Sequence, residues 1–339
     1  MARRWLLLTI ACALVVAPAE AARELKIGIL LGSSGRGDKG FNDAALAGLD
    51  AAKKHGPLIV RERAAPVLEE YAAAIDQLAA EGADLIIGVG FLYAEPFRAA
   101  SAKHPRRRFL LLDVELSGLP NVKAVTFRAD EGSFLAGVAA AAESKHGKVG
   151  FVGGMEMPII RAFECGYETG VRWAANELGR DVRGYAVYVG TTPDAFGNPK
   201  AGAELGRDLI AQQGVDVLYA AAGASGLGVL EAAREAKVKA IGVDVDQSYV
   251  APETIVTSMR KRLDRVVERT VDDLRRDLFV SGTTVMTLAN GGVDLVLPGR
   301  LSLATRTLIG KARAAIASGR TAPCVKAEPR PVPQFPPRR

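Results

Sequence analysis

Few residues of this 339-residue chain are suited to catalysis or to holding a metal, since it has three histidines and three cysteines. His55, His104 and His146 stand in or beside polar turns far apart in sequence, which predicts solvated loop residues rather than metal ligands. A Gly-x-Ser-x-Gly turn that could present a hydrolase nucleophile is missing. We therefore expect no metal, no cofactor and no enzymatic activity.

Cysteine is too sparse for a disulfide-rich domain, and no pair of cysteines has the spacing of a metal site. Cys165 falls in a predicted helix, whereas Cys324 falls near the C-terminal end. The two could pair in an oxidising compartment, but their separation favours two isolated thiols.

An apolar run at residues 5–16 begins the chain after Arg3 and Arg4, and residues 19–21 (Ala-Glu-Ala) offer a small-x-small cleavage site. The run is shorter than the about 20 residues that a membrane span needs. This pattern predicts a secretory signal over residues 1–21 and a mature chain in the periplasm. A lipid anchor at Cys12 is the weaker alternative, because no leucine stands three residues before it.

Positive charge is not concentrated in the predicted folded body. The formal net charge is +6, of which +5 remains when residues 1–21 are removed. Residues 322–339, which are rich in proline, carry +3 of that, and we expect this tail to be disordered. A nucleic-acid-binding protein would concentrate its basic residues on a folded face, so we expect no nucleic-acid partner.

Short apolar runs alternate with helical stretches along the chain. The runs are mostly continuous, which is typical of strands buried on both faces of a parallel sheet. They lie at residues 25–31, 58–60, 85–89, 109–112 and 122–127, and then at 148–152, 185–189, 217–221, 240–243 and 255–257. Residues 160–178 and 263–278 have apolar side chains every three or four positions, as amphipathic helices do. The pattern predicts an α/β fold with two doubly wound parallel sheets.

About 320 mature residues suit two cores better than one. We expect the first lobe to comprise residues 22–127 and about 262–321, the second lobe residues 128–261, and the tail residues 322–339. The strand-like segments at 284–288 and 293–297 and one more helix are thereby placed in the first lobe.

Candidate ligand-binding residues are those that follow the carboxyl ends of the strands, where ligands lie in open parallel sheets. In the first lobe these are Arg36, Phe41 and Asn42 in the turn after the first strand, Gly90 and Phe91 after the third, and Asp113 after the fourth. In the second lobe they are Phe196, Gly223, Asp244 and Lys261.

The chemistry of these residues suits a flat heterocycle joined to a polyol, because aromatic rings stack on the heterocycle and charged groups bind hydroxyls. Alternatives remain for some of them. Asn42 could cap the following helix, and Phe41 and Phe196 could be ordinary surface packing. Asp113 and Asp244 each end an apolar strand, where an unpaired carboxylate is costly.

Four spaced segments resemble the basic membrane protein family of solute receptors. They are residues 37–43 (Gly-Asp-Lys-Gly-Phe-Asn-Asp), 130–137 (Asp-Glu-Gly-Ser-Phe-Leu-Ala-Gly), 242–247 (Gly-Val-Asp-Val-Asp-Gln) and 257–261 (Thr-Ser-Met-Arg-Lys). This is the family of purine-nucleoside receptors for ABC importers, with two lobes joined by a hinge in the type I periplasmic-binding fold. The resemblance implies a monomer that binds a nucleoside-like solute between its lobes and delivers it to an inner-membrane permease.

The resemblance also implies roles for individual residues. Phe196 would stack on the base, Asp113 would pair with its polar edge, and Asp244 and Lys261 would hold the ribose hydroxyls. The remaining shell would comprise Asn42 and the Gly223 backbone, with Gly90 and Phe91 at the floor.

Arg36 departs from the family pattern, in which an aromatic residue is frequent at this place. Its planar guanidinium could stack on a base, but it would equally suit an anionic solute. Two other functions also remain open: a ligand-sensing receptor for a signalling partner, and an exported enzyme of nucleotide-binding fold.

Overall fold

The structure, a computed structural model, describes residues 23–63 and 68–324. The predicted signal at residues 1–21, including Cys12, and the tail beyond Cys324 lie outside the described residues. The described strands are β1 (Leu25–Leu30), β2 (Leu58–Arg63), β3 (Leu85–Val89), β4 (Arg108–Leu112), β5 (Val122–Phe127), β6 (Lys148–Met155), β7 (Arg183–Gly190), β8 (Val217–Ala221), β9 (Lys239–Asp244), β10 (Ile255–Lys261), β11 (Gly282–Met286) and β12 (Val293–Leu295). The described α-helices are α1 (Phe41–Ala52), α2 (Leu68–Ala80), α3 (Ala94–Lys103), α4 (Ala129–Glu143), α5 (Pro158–Leu178), α6 (Pro199–Asp208), α7 (Ser225–Glu235), α8 (Leu263–Arg275) and α9 (Leu303–Ala317).

Each lobe contains one six-stranded sheet with helices on both faces. The strand orders are β11-β5-β4-β3-β1-β2 in the first lobe and β12-β10-β9-β8-β6-β7 in the second. Neighbouring strands are parallel except β10 and β12. All residues of β3 and β8 are buried, as expected for continuous apolar runs covered on both faces. The predicted α/β fold with two doubly wound sheets is confirmed.

The C-terminal part of the predicted first lobe is divided between the lobes. As predicted, α8 packs on α1 and β11 pairs with β5 in the first lobe. In contrast, β12 pairs with β10 of the second sheet, and α9 packs on α4 through Leu308, Ile309 and Ala312. The placement of these two elements in the first lobe is therefore wrong, because their apolar side chains complete the second core.

Three connections join the lobes and are hydrogen-bonded to one another. They pass through Arg128, through Arg262 and through residues 287–292. The Arg128 N–H donates to the Met286 carbonyl (2.8 Å), and the Arg262 N–H donates to the Gly292 carbonyl (2.9 Å). A hinge motion therefore moves the three connections together.

Helices α4 and α5 approach so closely that only glycine fits at their crossing. A Cβ at Gly137 would lie 2.1 Å from the Tyr167 carbonyl oxygen, and one at Gly170 would lie 2.0 Å from that of Phe134. The close approach lets α4 run through the middle of the second core, where residues 129–141 are all buried. This accounts for the glycine that ends the motif at residues 130–137.

Cys165 and Cys324 form a disulfide across 159 residues of sequence, with their Cα atoms 5.2 Å apart. The prediction of two isolated thiols is therefore wrong. After α9 the chain turns back toward α5, which brings Cys324 to the side of the helix that carries Cys165. Because residues 322–324 are held in this way, they do not belong to a disordered tail.

Candidate functional site

One cavity lies between the carboxyl ends of the two sheets and is lined by both lobes. Its lining combines aromatic and aliphatic side chains with two carboxylates and one lysine. The lining residues are Gly32, Ser33, Ser34, Phe41, Asn42, Val89, Gly90, Phe91, Leu92, Asp113, Met157, Ile159, Ile160, Phe163, Phe196, Ala221, Gly223, Val243, Asp244 and Lys261. Nine of the ten predicted site residues are among them.

The tenth predicted residue, Arg36, lies outside the cavity lining. Its Nη2 is 2.6 Å from Oε2 of Glu62 at the end of β2, and 63% of its side chain is exposed. The turn on either side has Gly35 and Gly37 at positive φ, which directs this residue away from the cleft. The structure therefore does not bring Arg36 into the site, either as a stacking group or as an anion-binding group.

Asn42 holds the loop of residues 32–42 in place. Helix α1 begins at Phe41, and the Asn42 Oδ1 accepts from the Gly32 N–H (2.7 Å). Its Nδ2 donates to Ser34 Oγ and to Asp38 Oδ2, at 2.9 Å each. Both amide hydrogens are thereby used. Asn42 lines the cavity, but its main bonds position the loop.

Asp38 caps the first turn of α1 although it precedes the helix by three residues. Its buried carboxylate accepts from the backbone N–H groups of Gly40 (3.0 Å), Asn42 (2.9 Å) and Asp43 (3.1 Å). These groups lack partners within the helix, and a negative charge is favourable there. The cap thereby fixes the orientation of Phe41, the first residue of the helix.

Lys261 is the centre of the charged part of the site. It is the last residue of β10, and its side chain is 2% exposed. Its ammonium group forms an ion pair and hydrogen bond with the Asp113 carboxylate. The Nζ also lies 5.0–5.3 Å from the ring centroids of Phe41, Phe127 and Phe163, within the range of cation–π attraction.

Two carboxylates face this lysine from topologically equivalent places, Asp113 just after β4 and Asp244 at the end of β9. Burial raises the pKa of Asp113, although Lys261 opposes the increase. Burial also raises the pKa of Asp244 to about 7; Lys261 opposes this, while Asp38 and Asp113 add to it. The Asp244 carboxylate forms no hydrogen bond with any other described residue, so it is available to a ligand.

Both carboxylates stand on backbone with φ of 67°. This left-handed conformation is uncommon outside glycine, although aspartate adopts it more readily than most residues. Each such residue stores some backbone strain, which in native proteins is concentrated at functional sites. The turn directs Asp113 and Asp244 into the cleft immediately where their strands end.

Phe196 forms an aromatic wall from the short 3-10 helix Pro193–Phe196. Its ring fills the space over two glycines. A Cβ at Gly154 would lie 2.4 Å from the ring, and one at Gly223 would lie 3.4 Å from the Phe196 Cβ. Any larger residue at 154 would push the ring from its place, so the glycine sets the position of this wall.

The sequence reasoning missed the apolar wall that the beginning of α5 contributes. Met157, Ile159, Ile160 and Phe163 all line the cavity. The apolar spacing of residues 160–178 predicts an amphipathic helix but does not by itself indicate that Ile160 and Phe163 line a cavity. The same strand-end rule would have found the wall, because α5 starts directly after β6, the first strand of the second lobe.

Two hydrogen bonds bridge the lobes at the rim of the cleft. Ser33 Oγ donates to the Pro193 carbonyl (3.2 Å), and Gln247 Nε2 donates to the Lys39 carbonyl (2.9 Å). Gln247 is itself held by the Val243 N–H, which donates to its Oε1 (2.9 Å). The two lobes are therefore in contact on both sides of the cavity.

The three histidines lie away from the cavity and beside carboxylates. His55 Nδ1 is 2.8 Å from Asp272, His104 Nε2 is 2.7 Å from Asp76, and His146 Nδ1 is 3.7 Å from Asp216. Within residues 23–63 and 68–324, no group of three or more His, Cys, Asp and Glu residues is placed to hold a metal ion.

The raised pKa of Asp244 predicts a pH-dependent stability. The unfolded chain loses this proton near the ordinary value of 3.8, whereas the native state keeps it to about 7. Between these values the native state binds more protons, so raising the pH lowers the free energy of unfolding by up to about 4 kcal/mol through this group. Urea unfolding at mildly acidic and at mildly alkaline pH gives the change in the free energy of unfolding between the two conditions. We expect this change to be smaller for Asp244→Asn than for the parent. Equal differences would contradict this assignment.

Comparison with known proteins identifies the family. Residues 26–319 match the sequence model of the family described as ABC transporter substrate-binding protein PnrA-like. The chain belongs to this family. PnrA-like proteins are substrate-binding proteins rather than enzymes, so the expected lack of enzymatic activity agrees with the family.

Relatives of known name support the same PnrA-like assignment. The ABC transporter nucleoside-binding protein BmpA of Lactococcus lactis is 31% identical over 323 residues, covering 88% of each chain. Basic membrane protein A of Borreliella burgdorferi is 32% identical over 256 residues, covering 73% of this chain and 72% of its own. The resemblance to the basic membrane protein family is thereby confirmed.

Solved structures show the same two-lobed architecture. A solute-binding protein of an ABC transporter system from Aeropyrum pernix superposes with a TM-score of 0.80 at 28% identity, covering 87% of this chain and 92% of its own. One from Conexibacter woesei has a TM-score of 0.70 at 23% identity, covering 88% and 98%, and shows the fold alone. The expected type I periplasmic-binding fold is confirmed.

Proposed function

We propose that this protein is a periplasmic receptor that binds a purine nucleoside in the cleft and delivers it to an ABC permease in the inner membrane. The observation that carries the proposal is the composition of the cavity, in which aromatic walls enclose two carboxylates and a lysine. The relative from Lactococcus lactis, which bears the name of a nucleoside-binding protein, supports the same ligand class.

The proposed ligand uses the two chemically different parts of the cavity. The base lies against Phe196 and the apolar wall at the beginning of α5, where stacking and burial stabilise it. The polar edge of the base meets Asp113, and the ribose hydroxyls meet Asp244 and Lys261 through charge-assisted hydrogen bonds. Phe41 covers the lysine, while Gly90, Phe91 and the Gly223 backbone close the floor.

The ligand is captured when the two lobes close about the hinge. Phe196 and Asp244 belong to the second lobe, and Asp113 and Phe41 to the first, so a ligand that contacts all four favours the closed arrangement. The shift is limited by the difference in affinity between the closed and open states. The rim contacts of Ser33 and Gln247 form in the same closed arrangement and leave a closed surface for the permease.

The first test is direct binding of inosine, guanosine and adenosine, measured by isothermal titration calorimetry and by thermal melting. We expect saturable binding and a melting temperature that rises with ligand excess. Phe196→Ala should weaken binding about 5- to 150-fold, because stacking of an aromatic side chain on a base contributes about 1–3 kcal/mol.

A matched control is Phe279→Ala, which removes the same ring from the far end of the first lobe and should leave affinity unchanged. Melting of both variants without ligand separates loss of stacking from loss of folding. If none of the three nucleosides binds the parent protein, the ligand assignment fails. If free base appears on incubation with inosine, the receptor proposal itself fails.

A further inference from the structure

A basic surface lies at the end of the first lobe that is opposite the cavity. The surface is lined by Arg23, Asp84, Arg106, Arg107, Arg108, Leu274, Asp277 and Phe279, and we call it the basic surface. Arg108 begins β4 at this end, whereas Asp113 follows the other end of the same strand in the cleft. A partner bound here would therefore leave the cavity free.

Four arginines on the basic surface face two carboxylates, which gives a net charge of +2. Asp84 is already used, since it pairs with Arg23 and accepts from the Lys26 N–H (2.8 Å). Arg106 and Arg107 make no ion pair with any described residue, and Arg106 is exposed. Glu24 and Arg276 are both exposed and adjoin the basic surface in sequence, and their opposite charges cancel. Two guanidinium groups thus remain free to bind an external anion.

Exposed apolar side chains adjoin these arginines. Phe279 lies on the basic surface, with the Arg108 guanidinium 5.8 Å from its ring centroid. On either side of it in sequence, Leu278 is 58% exposed and Val280 is 71% exposed. Large apolar side chains this exposed beside basic residues are typical of proteins that insert into the interface of a membrane. Arginine side chains suit this place because their stems are apolar and their heads reach lipid phosphates.

The N-terminal end of the described residues also lies at this surface. Arg23, the first described residue, is part of it, and the Arg275 guanidinium holds the Arg23 carbonyl (3.5 Å) beside the Pro57 carbonyl (3.4 Å). No helix in the described part of the chain is long and apolar enough to cross a membrane.

We propose that the basic surface binds the anionic phospholipid face of a membrane, with Arg106 and Arg107 at the lipid phosphates and Leu278 and Val280 in the interface. Two contributions to membrane affinity add here: the attraction of basic residues to an anionic leaflet and the insertion of a small apolar area. Each is weak alone, and together they give reversible attachment. Attachment through this end keeps the receptor close to the membrane and, because it is reversible, leaves the receptor free to turn its closed cleft to the permease. This proposal does not depend on which solute the cleft binds.

Vesicle flotation of the full mature chain tests the proposal. We expect binding to vesicles with equal amounts of phosphatidylcholine and phosphatidylglycerol, none to phosphatidylcholine alone, and release at high salt. Arg106→Glu/Arg107→Glu should lower the partition coefficient at least about 25-fold, because each basic residue near an anionic surface contributes about a fivefold factor. Leu278→Ser/Val280→Ser should also lower it but leave its salt dependence unchanged.

The matched control is Arg183→Glu/Lys237→Glu, which makes the same charge change on exposed residues of the second lobe and should retain binding. Unchanged melting temperatures show that the variants are folded. The proposal is overturned if the parent does not float with anionic vesicles, or if the control loses binding as much as the Arg106/Arg107 variant. Binding of a DNA oligonucleotide without binding of anionic vesicles would assign the surface to nucleic acid and likewise overturn it.

Discussion

Lys261→Met is expected to lower the free energy of unfolding by about 3–5 kcal/mol, because it leaves a buried carboxylate without its partner. The lysine side chain is 2% exposed and pairs with Asp113, whose pKa is raised by burial. Removing the ammonium also removes the cation that three phenylalanine rings surround. Chemical denaturation at neutral pH measures the loss, and calorimetry should show that nucleoside binding is lost with it.

Two further variants show whether the cost comes from the uncompensated charge. Lys261→Met/Asp113→Asn removes both charges of the pair, keeps a residue that tolerates the positive φ, and should recover most of the stability without recovering binding. Lys123→Met removes a lysine that lies 3.7 Å from Asp273 and is 15% exposed, so its loss should cost much less. If Lys261→Met and Lys123→Met have the same stability, the central role of Lys261 is wrong.

Loss of the Cys165–Cys324 disulfide is expected to lower the free energy of unfolding by about 2–5 kcal/mol. The bond closes a loop of 159 residues, so it restricts the unfolded chain strongly. The double variant Cys165→Ser/Cys324→Ser, unfolded in urea without reductant, measures the effect. The variant should remain folded at room temperature, because both cores are built from other residues.

Reductant provides the control for the disulfide prediction. Parent protein unfolded in the presence of dithiothreitol should match the double variant, and the double variant should not respond to dithiothreitol. Each single serine variant should also match the double variant, since either one breaks the bond. A parent protein whose stability is unchanged by reductant would show that the bond does not form in solution.

The strands were the most predictable part of the fold, because burial on both faces requires continuous apolar runs. β3 and β8 match their predicted bounds, while β6 and β10 run three or four residues further than predicted. These extensions have mixed composition, including Gly153 and Lys261, and they are strands because neighbours pair with them. Local pattern cannot show this, since pairing partners come from distant parts of the chain.

The errors concern segments whose place depends on long-range packing. An amphipathic helix such as α9 could cover either core, and only the fit against α4 decides which one. Pairing of Cys165 with Cys324 likewise depends on the path of the chain after α9. The rule that ligands lie at the carboxyl ends of parallel strands identified most of the cavity lining. It succeeded because it depends only on the order and direction of the strands. It failed for Arg36, because a flexible glycine-flanked turn can direct a side chain either way.

The matching strand orders of the two sheets have one more consequence. β4 and β9 occupy the same place in their sheets, so Asp113 and Asp244 are symmetric counterparts in the strand order of the two lobes. The single ammonium group breaks this symmetry, because it bonds only one of the two carboxylates. The two carboxylates therefore differ in their bonding to Lys261 although the strand order around them is repeated. A solute with one flat end and one hydroxyl-rich end therefore has one favoured orientation in the cavity, and Lys261 determines that orientation.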